Sequence, residues 1–226
     1  IITQTPQGFR YKDIFKLHNK NKDINITDDA ALFVDDKKKI HFIEGEKQNF
    51  KITNNQDLKL FKNSKQKTIH YGIGFDIHRL EKKRKLYLGG TKISYPMGLK
   101  GHSDGDSVLH AIIDSLLGAC KLKDIGTLFP EKNYKYKNIR STKLLQNVVA
   151  LIKSKNYSIN NIDINIIAQK PKITKYSKKM ILTISKLCEI NPNQMNIKGK
   201  TTEKLGLIGK GKAIACEVIT SVVKYA

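Results

Sequence analysis

The sequence predicts an α/β sandwich, one mixed β-sheet with helices on one of its faces. Three observations predict it. Runs rich in Ile, Tyr, Phe and Val open and close residues 69–226. Two stretches, 104–119 and 141–155, carry apolar residues at the spacing of one helical face. The resulting order, β-β-β-α-α-β-α-β-β, interleaves strands and helices as layered folds do.

Residues 1–68 stand apart, because Asn, Lys, Asp and Gln dominate them. Ala31-Leu32-Phe33-Val34 and Ile40-His41-Phe42-Ile43, on either side of Asp35-Asp36-Lys37-Lys38, would make a hairpin. A solvated, mobile segment is the other reading of the same composition. His18 and His41 have no partners at metal spacing and read as surface residues. The expected organisation is therefore a low-complexity extension, 1–68, and one domain, 69–226.

The domain opens with a strand at 69–77, followed by a lysine-rich link at 81–85. Leu86-Tyr87-Leu88 and Lys92-Ile93-Ser94-Tyr95 flank Gly89-Gly90, a hairpin turn, and Pro96 and Gly98 end that pair. Val108, Leu109, Ile112, Ile113, Leu116 and Leu117 define the first helix, with Ser103 or Asp104 as N-cap. A loop punctuated by Gly126 and Pro130 precedes the second helix, whose apolar face is Leu144, Leu145, Val148, Val149 and Ile152. Residues 162–168 alternate and then become continuously apolar, as a buried strand does. After a break at 169–172 come a helix at 176–189, a strand at 196–203 with a polar end, a glycine loop at 206–212 and a last strand at 213–223. Gly72 with Gly74, and Gly206 with Gly209 and Gly211, lack the strand-to-helix spacing of a dinucleotide or phosphate loop, so each reads as a turn.

The chemistry concentrates in two places. Asp76 and His78 are two apart in the first strand, so both side chains leave the same face. In the helix, Asp106, His110 and Asp114 recur at steps of four on a polar stripe beside the apolar one. One Asp and two His are a set of three N/O donors, and a zinc site with three protein ligands keeps a position free for substrate. Taken alone, such scattered histidines are more often surface or core residues. Asp106 and Asp114 fit a supporting role, orienting imidazoles or capping the helix. No Ser-His-Asp or Cys-His nucleophile set is present in the sequence pattern.

Composition narrows the classes. The net charge of +22 raises nucleic-acid binding, but only four of the cations are arginine (Arg10, Arg79, Arg84 and Arg140), and lysine scattered among Asn and Ile looks like a coding bias rather than a groove. A field of this sign favours an anionic, phosphorylated substrate. Cys120, Cys188 and Cys216 are far apart, which argues against a disulfide framework and suits a reducing compartment. Membrane spans and signal-peptide patterns are not expected. The chain opens on Ile1, which leaves room for a targeting segment upstream.

Gly74-Phe75-Asp76-Ile77-His78, His102-Ser103-Asp104-Gly105-Asp106, His110, Asp114, Asp124-Ile125-Gly126, Phe129-Pro130, Ala168-Gln169 with Pro171-Lys172, and Thr201-Thr202-Glu203-Lys204-Leu205-Gly206 together resemble 2-C-methyl-D-erythritol 2,4-cyclodiphosphate synthases. The likeness runs from about residue 69 to the C-terminus and leaves the first 68 residues outside it. It implies conversion of 4-diphosphocytidyl-2-C-methyl-D-erythritol 2-phosphate to the cyclic diphosphate with release of CMP, a phosphorus-oxygen lyase step of non-mevalonate isoprenoid synthesis. It also implies a homotrimer with sheets packed around the threefold axis and active sites between subunits.

Carried over by residue, Asp76, His78 and His110 would hold zinc, and Glu203 a magnesium or manganese ion on the diphosphate. His102 and Thr201 would stabilise the transition state. Ile77, Ser103, Asp124, Ile125, Gly126, Phe129, Pro130, Glu131, Lys132 and Asn133 would line the substrate's sugar and phosphates. Ala168, Pro171, Lys172, Ile173 and Thr174 match the cytosine pocket, and Lys200, Thr202, Leu207 and Lys210 complete the substrate set. Three positions depart from the family: Lys200 stands where Thr is usual, Lys210 where many members have Arg, and Glu131 where Asp is frequent. Lys210 keeps the charge but loses the bidentate fork. The family's bacterial and plastid distribution, with an Asn/Lys-rich extension, implies a plastid-type organelle. Rival readings are a zinc phosphohydrolase and a lysine-rich nucleic-acid binder.

Overall fold

The computed structural model describes residues 7–21, 28–35, 40–46, 49, 51–64, 67–101, 103–130 and 139–225. The chain divides into two compact units, 1–65 and 66–226.

In the first unit, the described residues form three helices: α1 (Tyr11–Lys20), α2 (Asp29–Asp35) and α3 (Asn55–Ser64). Among its described residues, Leu17 and Leu32 are the buried apolar ones, and the rings of Phe9 and Phe33 stack at 4.9 Å. The expected hairpin does not form. Residues 31–34 lie inside α2, 40–43 form no strand, and 36–39 lie outside the described residues. A run as short as Ala-Leu-Phe-Val fits one helical turn as well as a strand. Here Asp28 accepts a hydrogen bond from the Ala30 amide at 2.8 Å, which favours the helix start.

The second unit is an α/β sandwich. Its strands are β1 (Lys67–Lys82), β2 (Leu86–Leu88), β3 (Thr91–Ile93), β4 (Met97–Leu99), β5 (Tyr157–Ile167), β6 (Met195–Lys200) and β7 (Ala213–Tyr225). Five of them form a mixed sheet in the order β4-β1-β7-β5-β6, antiparallel except for the parallel β5–β6 pair, and β2–β3 is the predicted hairpin. Helices α4 (Ser107–Ala119), α6 (Ser141–Ser154) and α7 (Ser177–Cys188) bury Leu109, Ile112, Leu116, Leu145, Ile152, Met180 and Ile184 in one core with Ile162, Ile164, Val218 and Val222 of the sheet. Two helical turns, α5 (Ile125–Leu128) and α8 (Gly206–Gly209), lie in the connections. The latter falls where a plain glycine loop was expected. Strand β4 was not expected either; it begins just after Pro96, contains Gly98, and pairs Leu99 with Leu80 and Gly98 with Glu81 of β1.

Gly72 and Gly74 are not turns. They sit within β1, where a Cβ on Gly74 would fall 2.0 Å from the Ala111 carbonyl oxygen and one on Gly72 2.0 Å from that of Ser115. Glycine here lets the backbone of α4 press directly on the strand. The N-cap of α4 is Asp106, not Ser103 or Asp104, because Gly105 takes φ +66° and turns the chain just before the helix. Asp106 is fully buried and accepts from the Leu109 amide (3.2 Å) and from Gly89 (2.8 Å) and Gly90 (2.6 Å) of the hairpin turn. Burial pushes its carboxyl above the usual range despite those donors.

The opposite face of the sheet carries a row of apolar side chains. Ile69, Tyr71, Ile73, Phe75 and Ile77 alternate along it, and Ile219 of β7 lies opposite Ile73; all six side chains are exposed.

Candidate metal centre and active site

Strand β1 and helix α4 bring three donors together. Asp76 Oδ2 lies 2.9 Å from His78 Nε2 and 3.0 Å from His110 Nδ1, and the two ring nitrogens are 3.3 Å apart. The strand period aims Asp76 and His78 the same way, and the close approach of α4 at Gly74 brings His110 over them. All three side chains are largely buried. Burial pushes the Asp76 carboxyl up, but hydrogen bonds and charge from His110 and His78 outweigh it and hold it at about 2. Burial likewise lowers His78, and Asp76 reverses this, leaving its imidazole above the usual value. Ligand atoms around a tetrahedral zinc with bonds of about 2.0–2.1 Å sit about 3.3 Å apart. The observed separations and the donor types fit a divalent ion.

Behind the cluster, His110 Nε2 is 2.9 Å from Ser141 Oγ, which donates to Asp104 Oδ1 at 2.5 Å. The sequence pattern gave Ser141 only as the start of a helix; its tie to His110 is visible in space alone. The stripe residue Asp114 turns instead to the amide of Ile125, which it accepts at 2.8 Å, and so fixes the start of α5. Asp124 caps α5 through the Thr127 amide, 2.6 Å away, with Ile125 and Gly126 inside the turn and Phe129 and Pro130 just after it.

The other expected site residues lie elsewhere in the unit. Ser103 sits before α4, its carbonyl held by Arg84 Nη2 at 3.3 Å. Ala168 follows β5, its amide donating to Lys200 O of β6, and Pro171, Lys172, Ile173 and Thr174 follow in a bend and a 3₁₀ turn. Thr201, Thr202 and Glu203 follow β6 into a turn at 203–204, with Thr201 and Glu203 exposed and Thr202 half-buried, and Thr201 Oγ1 donates to Glu203 Oε1 at 2.7 Å. Leu207 of α8 lines a cavity of about 430 Å³ with Ile77, Arg79, Leu80, Lys212 and Ala213, and Lys210 ends α8. His102, Glu131, Lys132 and Asn133 lie outside the described residues.

The YgbB family model matches residues 69–223, the whole stretch that carries the donors. The chain belongs to the YgbB family. A relative from Clostridium acetobutylicum, a 2-C-methyl-D-erythritol 2,4-cyclodiphosphate synthase, is 52% identical over 148 residues, 66% of this chain and 96% of the relative. Among solved structures, an IspF–CDP complex from Plasmodium falciparum shares 43% identity with a TM-score of 0.62, covering 70% of this chain and 97% of that one.

Residues outside the YgbB match also find a family. The model for 2-C-methyl-D-erythritol 4-phosphate cytidylyltransferase matches residues 1–63. A bifunctional enzyme IspD/IspF from Pelagibacter ubique is 59% identical over 223 residues, 99% of this chain, and the bifunctional IspDF structure from Campylobacter jejuni covers 93% of it at 35% identity and a TM-score of 0.69. The chain spans 58% of the length of both. These relatives overturn the plastid-type assignment: bifunctional proteins of this kind come from bacteria, including Pelagibacter, Desulfotalea, Campylobacter and Wolbachia. The Asn- and Lys-rich start lies within the stretch, residues 1–63, that the cytidylyltransferase model matches. Among the described residues, no helix is long and apolar enough to cross a membrane.

Proposed function

We propose that residues 69–226 convert 4-diphosphocytidyl-2-C-methyl-D-erythritol 2-phosphate to 2-C-methyl-D-erythritol 2,4-cyclodiphosphate with release of CMP, in non-mevalonate isoprenoid synthesis. The observation that carries this reading is the convergence of Asp76, His78 and His110 in a chain of the YgbB family. In the reaction an oxygen of the 2-phosphate forms a bond to the β-phosphorus, and the bond from that phosphorus to the oxygen of CMP breaks. The attacking phosphate is already an anion, so the obstacle is repulsion between it and the diphosphate rather than removal of a proton. Asp76, His78 and His110 would hold zinc, and Glu203 would hold magnesium or manganese. Such ions supply charge neutralisation and in-line positioning of the phosphoryl groups.

The chain's own residues do the rest. His102 and the Thr201 hydroxyl donate hydrogen bonds where charge builds up. Asp124, Ile125 and Gly126, fixed by Asp114, line the sugar, and residues 168–174 hold the cytosine. Ser103, Lys200 and Lys210 face the phosphates.

The working unit is a homotrimer. Two features support it: the exposed row Ile69, Tyr71, Ile73, Phe75 and Ile77 is a continuous apolar patch of the kind that partners cover. The sheet register also lines up Ile77, Ala215, Ile167 and Lys200 on neighbouring strands, so the metal corner and the Glu203 turn start about 14 Å apart, three strand spacings, within one chain. A neighbouring subunit closes that gap. Residues 1–63 belong to a cytidylyltransferase domain, and the protein is bifunctional, with both activities in one pathway.

Incubation with the CDP-linked substrate in ¹⁸O-water tests this. Release of CMP with no ¹⁸O in the phosphate product is expected; incorporation of solvent oxygen would make the protein a hydrolase. His78→Ala and His110→Ala should each lose bound zinc by elemental analysis, and zinc unchanged in both would defeat the ligand assignment.

A further inference from the structure

We propose that Ser141, backed by Asp104, is a positioning residue whose hydroxyl oxygen accepts a hydrogen bond from the Nε2–H of His110 and so commits the Nδ1 lone pair to the donor cluster. The inference rests on the reading of Asp76, His78 and His110 as metal ligands.

Ser141 is the first residue of α6 and is fully buried, so water does not satisfy its hydroxyl. That hydroxyl has one proton and three neighbours that could take it: Asp104 Oδ1 at 2.5 Å, His110 Nε2 at 2.9 Å and, farther off, Ser103 Oγ at 3.3 Å. The carboxylate offers only lone pairs and stands closer, so the proton goes to Asp104. Two further contacts hold Asp104 in place: the Ser141 amide donates to the same oxygen at 3.2 Å, and Arg140 Nε lies 3.7 Å from the other. Arg140 is itself placed over the Tyr87 ring, 5.1 Å from its centroid. Ser141 Oγ is then left as an acceptor, and the partner that suits it is His110 with its proton on Nε2. Ser103 Oγ, 3.3 Å away, can donate to the remaining lone pair. With Nε2 occupied, Nδ1 presents its lone pair beside Asp76 Oδ2 and His78 Nε2. Outer partners of ligand histidines fix tautomer and ring orientation in this way, and their loss costs about 10–100-fold in metal affinity.

The test uses the full chain. Zinc affinity, read by competition with a chromophoric chelator, should fall about 10–100-fold in Ser141→Ala and be largely restored in Ser141→Thr, which keeps the hydroxyl. In the ¹H–¹⁵N spectrum of the zinc-loaded protein, the His110 Nε2–H should be downfield and protected from solvent exchange, and the Ser141→Ala variant should lose that protection. Asp104→Asn, which removes the pure acceptor while keeping its shape, should weaken zinc in the same direction and serves should Ser141→Ala fail to fold. Unchanged zinc affinity together with an unchanged Nε2–H signal in Ser141→Ala would overturn the proposal while His78→Ala and His110→Ala still lose zinc. Retention of zinc by both histidine variants would instead remove the ligand reading on which it rests.

Discussion

The donor corner and the Thr201–Glu203 turn are the two ends of the proposed chemistry, and they are built differently. Asp76, His78 and His110 come from a strand and a helix pressed backbone to backbone, with outer partners already in place. The turn is exposed and local: Glu203 and Lys204 take left-handed φ of 49° and 67°, Thr202 Oγ1 donates to Leu205 O at 2.7 Å, and Thr201 bonds Glu203. One end is positioned by the packing of the core, the other by a few bonds within a surface loop. Damage to the first should therefore appear in metal content and stability together, and damage to the second in turnover alone.

The strongest way to break that contrast is at Gly74. A side chain there meets the α4 backbone at Ala111, so Gly74→Val must lift the helix off β1 and carry His110 away from Asp76 and His78. We expect a loss of roughly 3 kcal/mol in chemical denaturation, with bound zinc lost as well. A variant of parent stability and full zinc content would show that backbone contact does not set the cluster.

Glu203→Ala addresses the other end. Its carboxylate is exposed and its bond is to a neighbour two residues away, so removal should leave denaturation within about 0.5 kcal/mol of the parent. Zinc content should stay whole while the rate of CMP release falls about 10²–10³-fold. Loss of zinc in this variant would mean that the two ends are one structural unit.

The same contrast explains what could be read from the sequence. The helices α4 and α6 and the hairpin followed from apolar spacing and Gly89-Gly90; the periods 2 and 3.6 put Asp76 with His78 on one face and His110 on a polar stripe with Asp106 and Asp114, and the family resemblance singled out the three that converge. Other features were hidden because their signal is not periodic. Gly72 and Gly74 look like turn residues until the helix they admit is present. Asp106 takes the cap in place of Ser103 or Asp104, with Gly105 at φ +66° turning the chain just before the helix. Ser141 touches His110 across 31 residues of sequence, a distance over which no local pattern carries information. In the first unit, residues 31–34 read as a hairpin strand or as part of a solvated segment and instead lie in a helix, 29–35, because a short run of Leu, Phe and Val suits helix and strand alike.

The finest probe of the exposed end is Lys210. It closes α8 with its side chain in solvent, beside the loop whose Leu207 shares a cavity with Ile77. A lysine ammonium there attracts phosphate as a point charge, whereas a guanidinium would engage two oxygens at once. Lys210→Arg should therefore lower KM for the CDP-linked substrate by about threefold to tenfold, the order of 1 kcal/mol that a gained charge-assisted hydrogen bond contributes. It should leave kcat, zinc content and denaturation where they are, because nothing in the donor corner or the core touches this side chain's role. A change in kcat without one in KM would place Lys210 at the reacting phosphorus rather than at the bound phosphates, and would make the exposed end as demanding of geometry as the buried one.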